Sequence, residues 1–141
     1  VSGALFSTYQ RDRIEKICDK LGLKIFSPLW HKPQEKHMQE VIDYGFEIIL
    51  TKVAADGLDK TWLNKIITNK ELDLLKKMRD KLGTNLAGEG GEFESLVLDG
   101  PLFKKKIVLE EVELIEEDKY TSYLNVRKAS LVDKNKQFIF D

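Results

Sequence analysis

The sequence predicts an α/β protein, in which a small parallel sheet with flanking helices is followed by a β-rich region. Two observations carry this prediction. Across residues 1–58, short apolar runs alternate with segments of helical periodicity, which is typical of βαβ units. From Lys104 onwards, apolar and polar residues nearly alternate, as in half-buried strands. We therefore expect one unit over residues 1–58 and a second over residues 59–141.

The first helix is predicted to begin at Ser7, because Ser7 and Gln10 have the spacing of a capping box. Gly22 provides its end. Between these signals, apolar residues recur at helical spacing and are expected to form a buried face: Ile14, Ile17, Cys18 and Leu21. Cys18 is the single cysteine, so it can form no internal disulfide, which is typical of a reducing cytosol.

Three more helices are predicted along the chain. One begins near Pro33, a residue that suits the first helical position. A short amphipathic helix is predicted over residues 62–67. A second capping box, formed by Thr68 and Glu71, then begins a longer helix that ends at Gly83.

Strands are predicted at residues 24–27, 46–53 and 95–98, which are short apolar runs next to turn residues. The run at 46–53 is nearly continuous, which is typical of a strand covered on both faces of a parallel sheet. After residue 104 two longer strands follow. A β-bulge is expected at residues 110–111, where the alternation of the first of them slips by one residue.

Composition argues against several function classes. Twenty-three basic and 24 acidic residues give a net charge of −1, which offers no global attraction to nucleic acid or to an anionic membrane. No apolar run approaches the roughly 20 residues that span a bilayer. His31 and His37 lack the spacing of metal ligands, so we expect no structural zinc. Magnesium held by carboxylates and phosphates would leave no such signature.

The most informative segment is the acidic loop, residues 88–94. It holds Glu89, Glu92 and Glu94 within six residues, on a backbone that contains three glycines. Glycine costs folding entropy and packs nothing, so a run of glycines needs a reason. One interpretation is a solvated hairpin turn. The other is a site in which several carboxylates converge on one cation, metal or proton.

Other candidate residues lie where the predicted parallel strands end, since ligands of open α/β sheets bind there. Gly3 and Ala4 lie close to a helix start, where backbone amides can point at phosphate. Arg11 could reach phosphate from the first helical turn, although it could equally be an ordinary surface arginine. Trp30 could form a wall for a base or a methylated cation, and core packing is its alternative.

Three segments resemble the diphthine–ammonia ligases, which are N-type ATP pyrophosphatases. Residues 3–18 (GALFSTYQRDRIEKIC) resemble the family pattern GAI-S-YQR-RVE-VC, and SPLW at 27–30 resembles APLW. Residues 88–103 (GEGGEFESLVLDGPLF) resemble GEGGEFETLVLDGPLF, with Ser95 where threonine is usual. The order and spacing of these segments match the family along nearly the whole chain.

The resemblance has one large departure, because the family's PP-loop, SGGKDS, has no counterpart in this sequence. The chain resembles the second half of these proteins, and its start at Val1 suggests truncation. The resemblance thus implies the C-terminal part of a HUP-like parallel sheet and then a smaller α+β lobe. Half a parallel sheet would expose an unpaired edge, so we expect the isolated chain to associate, swap or aggregate unless its other half is nearby.

The resemblance implies ATP-dependent amidation of diphthine, a modified histidine of translation elongation factor 2, in the cytoplasm. ATP, with Mg²⁺, would adenylate the diphthine carboxylate, and ammonia would then release AMP and form diphthamide. We expect Glu89, Glu92 and Glu94 to bind the trimethylammonium group of diphthine or the incoming ammonium, or to remove a proton from it. Other expected contacts are to nucleotide (Gly3, Ala4, Gln10, Arg11) and to substrate (Trp30, Gly90, Gly91, Ser95).

Two alternatives stay open. The chain could be a binding module without catalysis, or a fragment that needs a PP-loop half in trans. It could also belong to a different PP-loop enzyme that amidates or thiolates another acceptor with ATP.

Overall fold

The computed structural model describes residues 1–134. The helices are α1 (Thr8–Lys20), α2 (Gln34–Asp43) and α3 (Asn69–Leu82), with a 3-10 turn at Lys60–Trp62. The strands are β1 (Glu47–Val53), β2 (Phe93–Asp99), β3 (Lys105–Glu116) and β4 (Ser122–Asp133). They form one sheet of order β2-β1-β4-β3. The sheet combines β1 with three strands from beyond residue 58, and the predicted unit boundary at that residue stays a prediction.

The protein is α/β, but the expected parallel sheet is not shown. Every pairing between the four strands within residues 1–134 is antiparallel, including Ile48 opposite Val97 in β1 and β2. Ile49 and Leu50 are each only 1% exposed although they face opposite sides of β1. The continuous apolar run of β1 therefore indicates that both faces of the strand are buried. Burial on both faces does not specify whether the neighbouring strands are parallel or antiparallel.

Two predicted elements of the first half are corrected. Residues 24–27 form no strand, and a hydrogen bond from the Ser2 amide to the Phe26 carbonyl (2.9 Å) joins them to the N-terminal segment. Residues 63–67 are not helical and instead run along the edge of β1. The amides of Asn64 and Ile67 donate to Leu50 and Ile48 (3.1 and 2.8 Å). The edge of a strand needs hydrogen-bond partners, and this segment supplies them.

The hydrophobic core lies between α2, α3 and the β1–β2 half of the sheet. Thr68 caps α3 in a complete capping box with Glu71, and Gly83 ends the helix with a φ of 75°. Both signals were predicted and are confirmed. Leu72 and Leu75 of α3 are fully buried. The other core members are Met38, Leu50, Val53, Leu58, Trp62, Leu63, Ile67, Leu86 and Phe93.

Helix α1 begins where predicted, since the Ser7 hydroxyl accepts from the Gln10 amide at 3.4 Å. Its apolar stripe, however, is not buried. Ile17 and Leu21 are 57% and 66% exposed, and Cys18 is half-buried rather than in the core. The periodicity correctly indicated a helix, but no residue of α1 is buried within the described part of the chain.

The predicted bulge of β3 is confirmed, because the register with β4 shifts on both sides of Glu111. The free end of this hairpin returns to the β1–β2 edge. There Lys106 lies 3.5 Å from Glu47, and Lys134 pairs with Asp99 at 2.7 Å. None of the helices within residues 1–134 has the length and apolar content needed to traverse a bilayer.

Candidate functional site

The acidic loop is held at both of its ends. Before it, Leu86 is 1% exposed, and its amide donates to the side-chain oxygen of Gln34, the first residue of α2, at 3.0 Å. Towards its other end, the Glu92 carbonyl accepts from the Ala54 amide, just after β1, at 2.8 Å. The loop is therefore fixed between the start of α2 and the end of β1, and is not a freely solvated hairpin turn.

Two glycines of the loop make room for its other side chains. Gly88 has a φ of 71°, and a Cβ there would lie 2.7 Å from the ring of Phe93. A Cβ on Gly90 would lie 2.6 Å from a carboxylate oxygen of Glu92. Such distances are well inside van der Waals contact. Position 88 therefore needs glycine for the observed packing of Phe93, whereas a Cβ at position 90 would displace the flexible end of the Glu92 side chain from its observed place.

The carboxylate of Glu89 accepts hydrogen bonds from backbone amides near the N-terminus. Its Oε1 accepts from the Leu5 amide at 2.7 Å, and its Oε2 accepts from the Phe6 amide at 3.1 Å. Both carboxylate oxygens are therefore engaged. This arrangement places the acidic loop directly beside the segment that contains Gly3 and Ala4, the predicted nucleotide contacts.

Glu92 has one satisfied and one unsatisfied oxygen. Oε1 accepts from the Asn85 amide at 3.1 Å. Oε2 is buried and has no hydrogen-bond partner among the described residues. A buried acceptor without a partner costs roughly 1–3 kcal/mol, and more when it is charged. The observation indicates that Glu92 Oε2 is available to a donor or a cation supplied by a ligand.

Glu94 lies elsewhere, so the three acids do not converge on one point. It is exposed on β2, and its side chain is on the opposite face from those of Phe93 and Ser95. There it lines a shallow cavity of about 340 Å³ with Thr51, Lys52, Glu117, Tyr123 and Leu124. Spacing in sequence suggested convergence, but Glu92 lies just before β2 with its carboxylate bonded to the Asn85 amide, whereas Glu94 lies on β2 and lines a different cavity.

Ser95 lines a more enclosed, mainly apolar cavity of about 270 Å³ between α2, β1 and β2. The cavity reaches Leu5 and Ala87, next to the acidic loop. His37 is its one histidine, and burial lowers the pKa of His37, with the positive charge of Lys32 acting in the same direction. The neutral imidazole is thus favoured. Sequence reasoning had considered His37 only as a metal ligand.

The predicted contacts in the N-terminal segment are brought together in part. Arg11 lies over the Trp30 ring, with its guanidinium carbon 4.9 Å from the ring centroid, and its Nε donates to Glu15 at 2.8 Å. His31 stacks near Trp30 with a 4.9 Å centroid separation. Trp30 therefore already has partners for its ring. Gln10 is exposed on α1, where its backbone amide donates a hydrogen bond to the Ser7 hydroxyl.

Gly90 and Gly91, predicted to contact substrate, are both exposed at the tip of the acidic loop. Their accessibility fits that prediction without testing it. Among residues 1–134, no three His, Cys, Asp or Glu side chains are grouped so as to hold a metal ion.

Comparison with known proteins decides the family. A family model described as the diphthamide synthase C-terminal domain matches residues 33–132. This chain belongs to the diphthamide synthase family. Proteins named diphthine–ammonia ligase resemble it: that of Schizosaccharomyces pombe is 46% identical over 134 residues, that of Bos taurus 40% over 137, and that of Homo sapiens 38% over 137.

Each of these alignments covers 94% of the chain, but the chain spans 51% of the Bos taurus and Homo sapiens proteins and 22% of the Schizosaccharomyces pombe protein. The predicted family is confirmed, and with it the assignment to a family of ligases. The chain spans about half the length, or less, of these relatives.

The boundary of the matched domain divides the candidate site. The match to the diphthamide synthase C-terminal domain begins at residue 33, so it contains α2, the acidic loop and the lining of the apolar cavity except Leu5. The predicted nucleotide contacts and Trp30 precede it. Glu89 joins the two parts through its bonds to Leu5 and Phe6.

Proposed function

We propose that this chain supplies the substrate side of a diphthine–ammonia ligase. The reaction is the ATP-dependent amidation of diphthine on translation elongation factor 2, through an acyl-adenylate and ammonia, with release of AMP and pyrophosphate. The relatives are named diphthine–ammonia ligase, which supports the joining of diphthine to ammonia, and the resemblance of the sequence motifs implies the ATP-dependent route. The structural observation that carries it is Glu92, whose buried Oε2 is unpartnered within the described residues.

The chemistry needs a group that handles ammonium. Ammonium has no lone pair, so it must lose a proton before it can attack the acyl-adenylate. A carboxylate with a free oxygen can accept a hydrogen bond from an N–H group of ammonium and then take that proton as a general base. The trimethylammonium group of diphthine has no N–H to donate. Ammonium can therefore donate the hydrogen bond that the buried oxygen lacks, whereas the trimethylammonium group cannot. We assign to Glu92 the role of binding ammonium and removing its proton.

The remaining predicted residues take surrounding roles in this proposal. Glu89 is occupied by two amides, so it holds the N-terminal segment against the loop, and Glu94 lies outside the reaction centre. Substrate would contact Trp30, Gly90, Gly91 and Ser95, while ATP with Mg²⁺ would be bound near Gly3, Ala4, Gln10 and Arg11. Residues 1–58 would form the C-terminal half of a HUP-like nucleotide-binding domain whose PP-loop lies outside this sequence. The protein would act in the cytoplasm, with copies of the chain associating.

Glu92→Gln tests this assignment in protein that includes a PP-loop portion. The amide cannot take a proton, so we expect diphthamide formation to fall by a factor of about 100 or more. Acyl-adenylate formation, followed without ammonium, should persist. The matched control is Glu94→Gln, two residues away, which should ligate nearly normally. Near-normal ligation by Glu92→Gln would contradict the assignment, and binding of elongation factor 2 without AMP release by the wild type would favour a binding module.

A further inference from the structure

Asn85 is the hub of the hydrogen bonds that shape the acidic loop. Its side-chain Oδ1 accepts from the amides of Ala87 and Glu89, at 2.9 and 3.3 Å. Its carbonyl accepts from the Gly88 amide at 3.2 Å, and its own amide donates to Glu92 Oε1 at 3.1 Å. One half-buried residue thus engages backbone or side chain at four positions of the following seven residues.

We infer that Asn85 is the positioning residue of the acidic loop. Through its amide it fixes one oxygen of Glu92, which leaves Oε2 as the unpartnered oxygen. Through its Oδ1 it fixes the backbone of Glu89, whose carboxylate in turn holds the Leu5 and Phe6 amides. Asn85 therefore acts through Glu89 and Glu92, which makes it a positioning residue rather than a catalytic one. Its effect on ligation rests on the proposed function, whereas its effect on loop geometry does not.

The residue type follows from this geometry. A short side chain that ends in an oxygen can accept from amides two and four residues onwards while its own backbone turns. Aspartate offers an oxygen at the same distance from the backbone. Alanine offers none, and glutamine would place its oxygen one methylene further away. The loop therefore requires an acceptor of this length at position 85, and Asn85→Asp is a rescue variant for Asn85→Ala.

Burial explains why the loop depends on this residue. Leu86 is anchored in the core and its amide is held by Gln34, so Asn85 is fixed from its C-terminal side. Three glycines follow within the next six residues, and they add backbone freedom with no side-chain packing. The hydrogen bonds that Asn85 Oδ1 accepts from Ala87 and Glu89 restrict the backbone on either side of the first of these glycines.

The test compares Asn85→Ala, Asn85→Asp and the control Asn69→Ala in the full-length protein, by amide hydrogen exchange and by ligation. Asn69 is exposed at the start of α3, and its Oδ1 accepts from Gln39 at 2.8 Å, away from the loop. We expect Asn85→Ala to speed exchange at Ala87 and Glu89 by about tenfold. Asn85→Asp should restore slow exchange, and Asn69→Ala should leave it unchanged.

Ligation gives the second readout. Because a misplacement of about 1 Å can cost about 100-fold, Asn85→Ala should lower kcat by up to that factor, and Asn85→Asp should recover most of it. Unchanged exchange in Asn85→Ala, or no recovery of slow exchange in Asn85→Asp, would overturn the inference. So would wild-type kcat in Asn85→Ala despite fast exchange. If the wild type itself does not ligate, the proposed function fails while the exchange results still decide the positioning of the loop.

Discussion

Two helices of nearly equal length show how differently the two parts of this molecule are built. Both α1, with 13 residues, and α3, with 14, begin at a hydroxyl cap and carry an apolar stripe. Helix α3 buries Leu72 and Leu75 completely, whereas α1 buries no residue among those described. Most helix stability in proteins comes from packing of the apolar face. An amphipathic pattern thus reveals a face suited to burial, but not what covers it.

The same contrast holds for the segments around the helices. Residues 33–134 contain the sheet and the core, while residues 1–32 contain one helix with turns and irregular segments. The two parts are joined at the acidic loop, where Glu89 accepts from Leu5 and Phe6. The candidate site thus lies where the well-packed domain meets the less packed segment.

The largest expected effect tests the packing side of this comparison. Leu75→Ala removes a fully buried side chain and should lower the free energy of unfolding by about 2–5 kcal/mol. Ile17→Ala, the matched change on α1, removes a side chain that is 57% exposed and should cost less than about 1 kcal/mol. Urea unfolding of the two variants measures both values. Equal losses would show that α1 is packed in solution.

The second prediction tests the contact between the N-terminal segment and the acidic loop. Glu89→Ala removes a charged acceptor from two amides, a change that costs about 1.5–3 kcal/mol per hydrogen bond to a charged group. We therefore expect hydrogen exchange at Leu5 and Phe6 to quicken by at least about tenfold. Exchange at Leu75, in the core, should stay as slow as before.

Glu94→Ala is the control for this experiment, because Glu94 is exposed and its side chain lies on the face of β2 opposite to that of Phe93. It should leave exchange at Leu5 and Phe6 unchanged. If Glu89→Ala also left both amides protected, the N-terminal segment would be held by contacts other than this carboxylate.

Features set by nearby residues could be predicted from the sequence. The capping box of Thr68 and Glu71, the end of α3 at Gly83 and the bulge at Glu111 depend on residues a few positions apart. Strand direction depends on pairing across the sheet, and an apolar run specifies burial on two faces rather than orientation. Hence β1 was found correctly and the parallel sheet was not.

The candidate site divides in the same way. The acids and glycines of the loop could be singled out by their local density. Glu89 reaches an amide 84 positions away, and no local pattern encodes that bond. The sequence does contain a weak signal for Asn85, which was missed. An asparagine between two glycines, here Gly83 and Gly88, is typical of a turn stabilised by its own side chain.

The smallest expected effect compares the two helix caps. Thr68→Ala should cost about 1 kcal/mol, because it removes the cap of a helix whose apolar face packs in the core. Ser7→Ala should cost less, because the hydroxyl of Ser7 accepts at 3.4 Å and α1 is little packed. Thermal and urea unfolding of both variants give the two values, and a Ser7→Ala loss as large as that of Thr68→Ala would remove the distinction.

The two caps should also differ in their response to pH. Hydrogen bonds from the Thr68 side chain and backbone lower the pKa of Glu71 from its ordinary value of 4.5. Because the folded pKa is the lower one, this stabilisation is fully present above about pH 4.5 and is lost as the pH falls through the folded pKa. The cap of α1 contains no carboxylate partner, since position 10 is Gln10. Glu71→Gln should therefore weaken folding at neutral pH and flatten its acid dependence, whereas Ser7→Ala should leave that dependence unchanged.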